Sequence, residues 1–547
     1  MEIQTMQKLE EEALKKSGTD FTRLGFALFF MIGVLTFSFL SNGGIPNNMF
    51  LAVAALIGAY MAMNIGANDV ANNVGPAVGS KAMTMTMAIV IAAIFEAAGA
   101  LIAGGEVVKT IKKGIIDISA FGGNSDPFIW AMMAALLAAA LWLNFATMMR
   151  APVSTTHSIV GGVMGAGIAA AGFDIVDWGT MAKIAASWVI SPVLGGIIAA
   201  AFLYSIKKSI VFQDDKVAAA KKWVPVFVSI MSWAFVTYLT LKGLKKIWPQ
   251  IVEILNYLPL VTIEMSKKPS LLTALVMGGV VAIIVYFIVR MKLASNTKVI
   301  KNTKASVNTL FTIPLVFAAA LLSFAHGAND VANAIGPLAA INDAVVNGGI
   351  SSKASIPLWV MGVGALGIAL GLGLYGPKLI KTVGSEITDL DQIRAFSIAM
   401  AASITVIIAS QLGLPVSSTH IAIGGVFGVG FLREYLHLSD TNTIEEDKNI
   451  IKDEKSNLQA YRAELAQLDK INEKTTRQYE RVVELYKLIA DEEKIIKSTK
   501  KHIKKTKRVE YVKRDAVKKI IAAWLITVPA AATLAAILFF MIRGIMV

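Results

Sequence analysis

The sequence predicts an all-α polytopic membrane protein built from two inverted repeats, with 11–13 hydrophobic segments, re-entrant hairpins and a charged helical insertion. Three observations carry this reading. Of 547 residues, 55% are hydrophobic and only 16% are charged, and the mean hydropathy is +0.62, far too apolar for a soluble enzyme of this length. Apolar stretches long enough to cross a hydrocarbon core recur from end to end. Finally, two motifs occur twice in the same order: GANDVANNVGP at 66–76 returns as GANDVANAIGP at 327–337, and PVSTTHSIVGGVMG at 152–165 returns as PVSSTHIAIGGVFG at 415–428. A net charge of +14 would suggest nucleic acid for a soluble chain, but here Lys and Arg gather in loops beside apolar segments, so the bilayer is the expected partner and nucleic acid is not. The absence of cysteine excludes disulfides, thiolate metal sites and cysteine nucleophiles.

Taken in order, residues 1–48 form an N-terminal cytoplasmic segment and an extra first span at 24–42; Glu10, Glu11 and Glu12 replace the basic start of a removable signal. The first repeat, 49–206, holds segments 49–66, 83–104, 128–147, 158–172 and 181–206. A linker, 207–309, carries two spans, 223–241 and 270–289. The basic loops 207–222 and 290–304 flank this pair, and the positive-inside rule makes their shared face cytoplasmic, in the inner membrane. The second repeat opens with 310–436, whose segments are 310–328, 356–376, 395–414 and 421–436, and is completed by the last span, 517–543. Segments 158–172 and 421–436 are short and glycine-rich, which suits re-entrant stretches buried in protein. If every segment between the two GAND motifs spans, the crossings are odd in number and the copies face opposite ways. Inverted repeats are a recurrent design of secondary transporters, with the binding site near mid-membrane.

The insertion, 437–516, is proline-free and charged, with Leu458, Tyr461, Leu465, Leu468 and Ile471, then Val482, Leu485, Ile489 and Ile496, at helical spacing. It reads as a cytoplasmic helical hairpin with a strongly basic end, a solvated spacer or a docking element. The equivalent loop of the first repeat, 172–180, is short, so the insertion is dispensable to the basic unit.

Asp69 and Asp330 close apolar segments, where an unpaired carboxylate is costly and a cation is the natural partner. Asn68, Asn72, Asn329 and Asn333 add carbonyl oxygens, so that each cluster offers an all-oxygen site suited to sodium. The plainer alternative is helix capping by these Asn and Asp side chains. Pro152 and Pro415 break the chain ahead of Ser154, Thr155, Thr156 and Ser417, Ser418, Thr419. A helix starting there directs N–H groups and hydroxyls at a tetrahedral oxyanion; alternatively the hydroxyls only resatisfy broken backbone. His157 and His420 follow as auxiliary candidates, for proton relay or for a structural hydrogen bond to the facing half. Glu96 has no counterpart in the second copy and Arg150 aligns with Gly413, whereas Lys109 and Lys381 pair as interfacial residues.

These four motifs, paired and in register, resemble the inorganic phosphate transporter family over about residues 50–206 and 310–543. The resemblance implies a symporter that moves phosphate with sodium or protons, built from inverted repeats with re-entrant hairpins, commonly dimeric, and without a cofactor. It places coupling cations at Asn68, Asp69, Asn329 and Asp330, and phosphate at the hydroxyls 154–156 and 417–419. A sulfate permease of the same fold and an uncoupled anion channel remain open beside it. An intramembrane hydrolase using Ser154, His157 and Asp69 is disfavoured by the duplication, because hydrolysis needs one nucleophile and not two copies of the same set.

Overall fold

A computed structural model describes every residue except 1, 46–47, 122–124, 150, 152, 246, 258–267, 297–300, 348–355, 386–389, 440, 473–474, 507–511 and 513. The expectations for Arg150 and Pro152 lie outside the described residues.

The first unit, Met1–Val429 with Arg514–Val547, is helical and is bound by apolar packing. Its first half runs α1 (Glu2–Ser41), α2 (Asn48–Asn68), α3 (Val70–Gly79), α4 (Met85–Ala103), α5 (Gly105–Lys113), α6 (Ser125–Met148), α7 (Thr155–Ala171) and α8 (Trp178–Ile206). Next come α9 (Lys216–Tyr238), α10 (Trp248–Asn256), α11 (Leu271–Asn296) and α12 (Lys304–Thr309). The second half runs α13 (Thr312–Val346), α14 (Leu358–Tyr375), α15 (Pro377–Ser385), α16 (Gln392–Gln411) and α17 (Ser418–Ser439). After α18 (Thr441–Asp469) and α19 (Thr476–Thr506), α20 (Arg514–Met546) closes the chain.

Eleven described helices are long and apolar enough to cross a membrane. The thirteen expected segments are reduced by the two glycine-rich ones. α7 has 17 residues, and α17 begins with Ser418, Thr419 and His420 and runs into Arg433 and Glu434, so neither offers a full apolar window. α1 and α11 show Phe21, Phe26, Phe29, Leu272, Val276 and Ile283 outward, as lipid-facing helices do, whereas α2, α6 and α16 are buried along most of their length.

The two sequence copies are interleaved. α2 packs on α14 and α13 on α4, while α7 packs on α20 and α17 meets α8 at its glycines. Glycines set how close these pairs come. A Cβ at Gly66 would strike the carbonyl of Ile368, and one at Gly327 would strike that of Glu96. Likewise Gly161 and Gly165 lie on Val528 and Ala532, as Gly424 and Gly428 lie on Pro192 and Gly196. Close backbone approach at small residues is how helices associate where no hydrophobic driving force separates protein from lipid.

The second unit, Gly430–Lys513, contains the α18–α19 hairpin. Leu485 and Ile496 are buried in it, and Arg481 reaches Glu464 at 2.8 and 3.0 Å while Arg462 reaches Glu493 at 2.5 Å. Tyr479, Val483 and Tyr486 lie on the exposed side.

Candidate functional site

The hydroxyl runs begin helices. Gly413, with φ of +67°, takes a left-handed turn that a side chain would strain, and the extended stretch after it leads into α17. Ser154 is the N-cap of α7, its side chain accepting from the His157 N–H at 3.1 Å. Ser417 accepts from the His420 N–H at 3.2 Å in the same way. These two serines therefore cap, which is the role held open above for the Asn and Asp residues. The first turns of α7 and α17 meet: the His157 and His420 rings are 4.4 Å apart, edge to face, and each lies against a tryptophan, Trp188 at 3.8 Å and Trp524 at 3.6 Å. The histidines touch across the two halves through their rings, and His157 also faces the Trp524 backbone of the second copy.

The carboxylates lie inside long helical runs, where segment ends were expected. Asp69 interrupts helix for one residue between α2 and α3, within a continuous span Asn48–Gly79. Asp330 sits in the middle of α13. Polar side chains that satisfy one another let these runs continue through a stretch of low hydropathy. Asp69 makes no capping bond; its two oxygens accept from Thr155 at 2.6 Å and Thr419 at 2.8 Å, one hydroxyl from each half. Ser418 donates to Asp330 at 2.9 Å. Asn72 donates to Thr419 at 2.9 Å, and in the related position Asn333 donates to Thr155 and Thr156 at 2.9 and 3.1 Å. Thr156 donates to the Val416 carbonyl at 2.9 Å. Asn68 and Asn329 fasten the turns ahead of the hydroxyl runs: Asn68 donates to Thr147 at 2.9 Å and to the Ala151 carbonyl at 3.3 Å, and Asn329 to Ser410 at 3.0 Å and to the Leu414 carbonyl at 3.3 Å.

One buried group is absent from the sequence reading. His326 lies between Glu96, 2.7 Å from Nδ1, and Asp330, 2.9 Å from Nε2. Asn73 donates to the other Glu96 oxygen at 2.7 Å. The glycine contacts show what the first copy has instead, since Gly66 meets Ile368 where Gly327 meets Glu96. Ile65 thus takes the place of His326 and Ile368 that of Glu96, an apolar pair for a charged one. The signal was present in the sequence, as a histidine four residues before Asp330 on one helix face.

The donor set fits a hard cation. An oxygen of Asp69 and one of Asp330 lie within 4.8 Å of each other. The buried oxygens Asn72 Oδ1, Asn329 Oδ1, Asn333 Oδ1 and Asp330 Oδ1 accept no hydrogen bond. Acceptors left unpaired in an apolar interior cost about 1–3 kcal/mol each, and an oxygen-binding cation relieves that cost. An anion alone would find Asp69, Asp330 and Glu96 repulsive, whereas with the cation in place the hydroxyls and the helix starts of α7 and α17 suit an oxyanion. Lys109 and Lys381 are exposed and lie outside this cluster.

Comparison with known proteins gives concordant results. The model of the phosphate transporter family matches residues 65–535. A protein of Helicobacter pylori strain J99 named "Putative phosphate permease" is 48% identical over 544 residues, covering 98% of each chain. A relative of the same name from Thermococcus kodakarensis is 39% identical over 386 residues, 70% of this chain and 89% of its own. A solved structure titled "The sodium-dependent phosphate transporter" is similar with a TM-score of 0.70 and 29% identity, over 91% of this chain and 99% of the other.

Proposed function

The chain belongs to the phosphate transporter family, and from that premise we propose that it imports inorganic phosphate by symport with a cation, sodium before protons. It is a multi-pass membrane transporter and not an enzyme. The observation that carries the coupling is the sharing of hydroxyls: Thr155 and Thr419 donate to Asp69, and Ser418 donates to Asp330. A carboxylate that takes a cation no longer needs those donors, which then turn to phosphate. The cation also neutralises carboxylates that would repel the anion. Binding of each ion therefore favours the other, and the coupling is reciprocal.

Sodium is favoured because the unpaired acceptors are oxygens and because the similar solved structure is titled as sodium-dependent. Asn68, Asp69, Asn72, Asn329, Asp330 and Asn333 form the cation side, and Thr155, Thr156, Ser418 and Thr419 the phosphate side, with Ser154 and Ser417 positioning the helix starts. The same reading takes the two copies as inverted, the protein as a homodimer in the inner membrane, and the N-terminus as cytoplasmic. The motif duplication and the basic loops support the inversion and the orientation; the homodimer rests on the family resemblance alone.

The test is uptake of labelled phosphate by proteoliposomes under an imposed sodium gradient at fixed pH, or a pH gradient without sodium, with sulfate as competitor. Sodium-driven uptake resistant to sulfate supports the proposal. Uptake that follows only the pH gradient assigns protons instead, and sulfate uptake in place of phosphate uptake rejects the substrate.

A further inference from the structure

We propose that the cavity beneath α1 is an antechamber for the transported phosphate, with Arg23 and Lys378 at its mouth and the Asn68–Thr147 hydrogen bond at its inner end; this rests on the function proposed above. The cavity has a volume of about 680 Å³ and lies among α1, α2, α6 and the α14–α15 junction, within the range of pockets that hold small ligands. Arg23 and the exposed Lys378 line it, with Asp20 as the acidic neighbour, 3.4 Å from Arg23 and more exposed than it. Tyr60, Asn144 and Thr147 also line it. Thr147 accepts the Asn68 amide at 2.9 Å, and Asn68 adjoins Asp69, so a single layer of side chains separates the cavity from the carboxylate cluster.

The second copy provides an internal control. By the alignment of the repeats, Tyr60, Asn64 and Asn144 correspond to Leu321, Ala325 and Ile407, and Thr147 to Ser410. Three polar positions become apolar, so the fold does not require them to be polar. In that copy Tyr238, 1% exposed, and Phe235 pack edge to face on Phe324 at 6.2 and 5.4 Å. The polar positions of this cavity thus belong to one copy, and aromatic rings cover Phe324 in the other. A net positive mouth leading over hydroxyl and amide groups toward Asn68 is the chemistry that gathers a phosphate anion. A lipid phosphate headgroup shares that chemistry; the lining is mostly apolar, and Tyr60, Asn64, Asn144 and Thr147 are the polar groups within it that a free anion would use and an acyl chain would not.

The chain has no cysteine, so Asn144→Cys introduces a single thiol. Its labelling by an anionic and by a cationic methanethiosulfonate of similar size is measured in permeabilised phosphatidylcholine liposomes, with and without inorganic phosphate. Met31→Cys, across the cavity on α1, serves if Asn144→Cys does not fold. The expected result is faster labelling by the anionic reagent and saturable slowing by phosphate. The anionic preference falls about tenfold when Arg23→Gln and Lys378→Gln are combined. Labelling indifferent to charge or to phosphate, while the unsubstituted protein still takes up phosphate, overturns the antechamber alone. Slowing by added phosphatidylglycerol but not by phosphate assigns the cavity to lipid and also overturns it. Absence of phosphate uptake by the unsubstituted protein overturns the function and the antechamber together.

Discussion

At the scale of single residues, the proposed coupling rests on hydroxyl donors shared between the buried carboxylates of the two copies. Thr155 and Thr419 both donate to Asp69, so Thr419→Val, which keeps the shape and removes the hydroxyl, should weaken phosphate and sodium dependence together. A loss of about 5- to 150-fold in apparent affinity is the expected range for such coupling, read from half-saturation concentrations for both ions. The Glu96–His326 pair makes a second prediction. Glu96→Ile alone leaves His326 buried without one of its two carboxylates, and should lower stability by about 3 kcal/mol. Adding His326→Ile restores the apolar pair of the first copy, Ile65 with Ile368, and should recover most of that loss in thermal unfolding while leaving sodium dependence impaired. Every candidate side chain was legible as a residue type at a repeated position. Which serine caps and which threonine faces a carboxylate was not, because that depends on where α7 and α17 start relative to Asp69 and Asp330. Glu96 stood out as a residue without a counterpart, but its partner His326 escaped, because it lies just outside the shared motif and Ile65 stands at its place in the first copy.

At the scale of elements, the sequence pattern foretold helices beginning at the hydroxyl runs. What it hid was the exchange of partners, α2 with α14 and α7 with α20, since nothing in a helix period names the helix it packs on. The glycines were the readable trace of that exchange. Gly371→Ala would press a Cβ onto the backbone of Met63 and should cost about 1–3 kcal/mol, seen as a lowered midpoint of thermal unfolding. A Cβ at the half-buried Gly362 would meet nothing within 4 Å, and Gly362→Ala should leave that midpoint unchanged or slightly raised. In the insertion, hydrogen bonds from Arg481 hold the Glu464 carboxyl below its usual range. A lowered folded value means that this contribution is present above the ordinary carboxyl range and lost as pH falls through the lowered value. Arg481→Gln should therefore make the hairpin easier to cleave by limited proteolysis near neutral pH, with the difference from the unsubstituted protein shrinking in acid.

At the scale of the whole molecule, the chain is a duplicated transport unit interrupted by a separate compact hairpin. The repeat and the charge pattern revealed that division in outline, because a run of charged helices interrupts one copy and not the other. Replacing 437–516 by a loop as short as 172–180 should leave phosphate uptake intact, and a loss of uptake in a folded variant would make the insertion part of the machinery. The central claim is that buried Asp69 and Asp330 couple a cation to phosphate. Its most direct test is the simultaneous flux of labelled sodium and labelled phosphate into proteoliposomes by the unsubstituted protein and by Asp330→Asn. The account predicts a fixed ratio of the two fluxes in the former and collapse of both in the latter. Sodium-independent phosphate flux, or full coupling retained by Asp330→Asn, would contradict it.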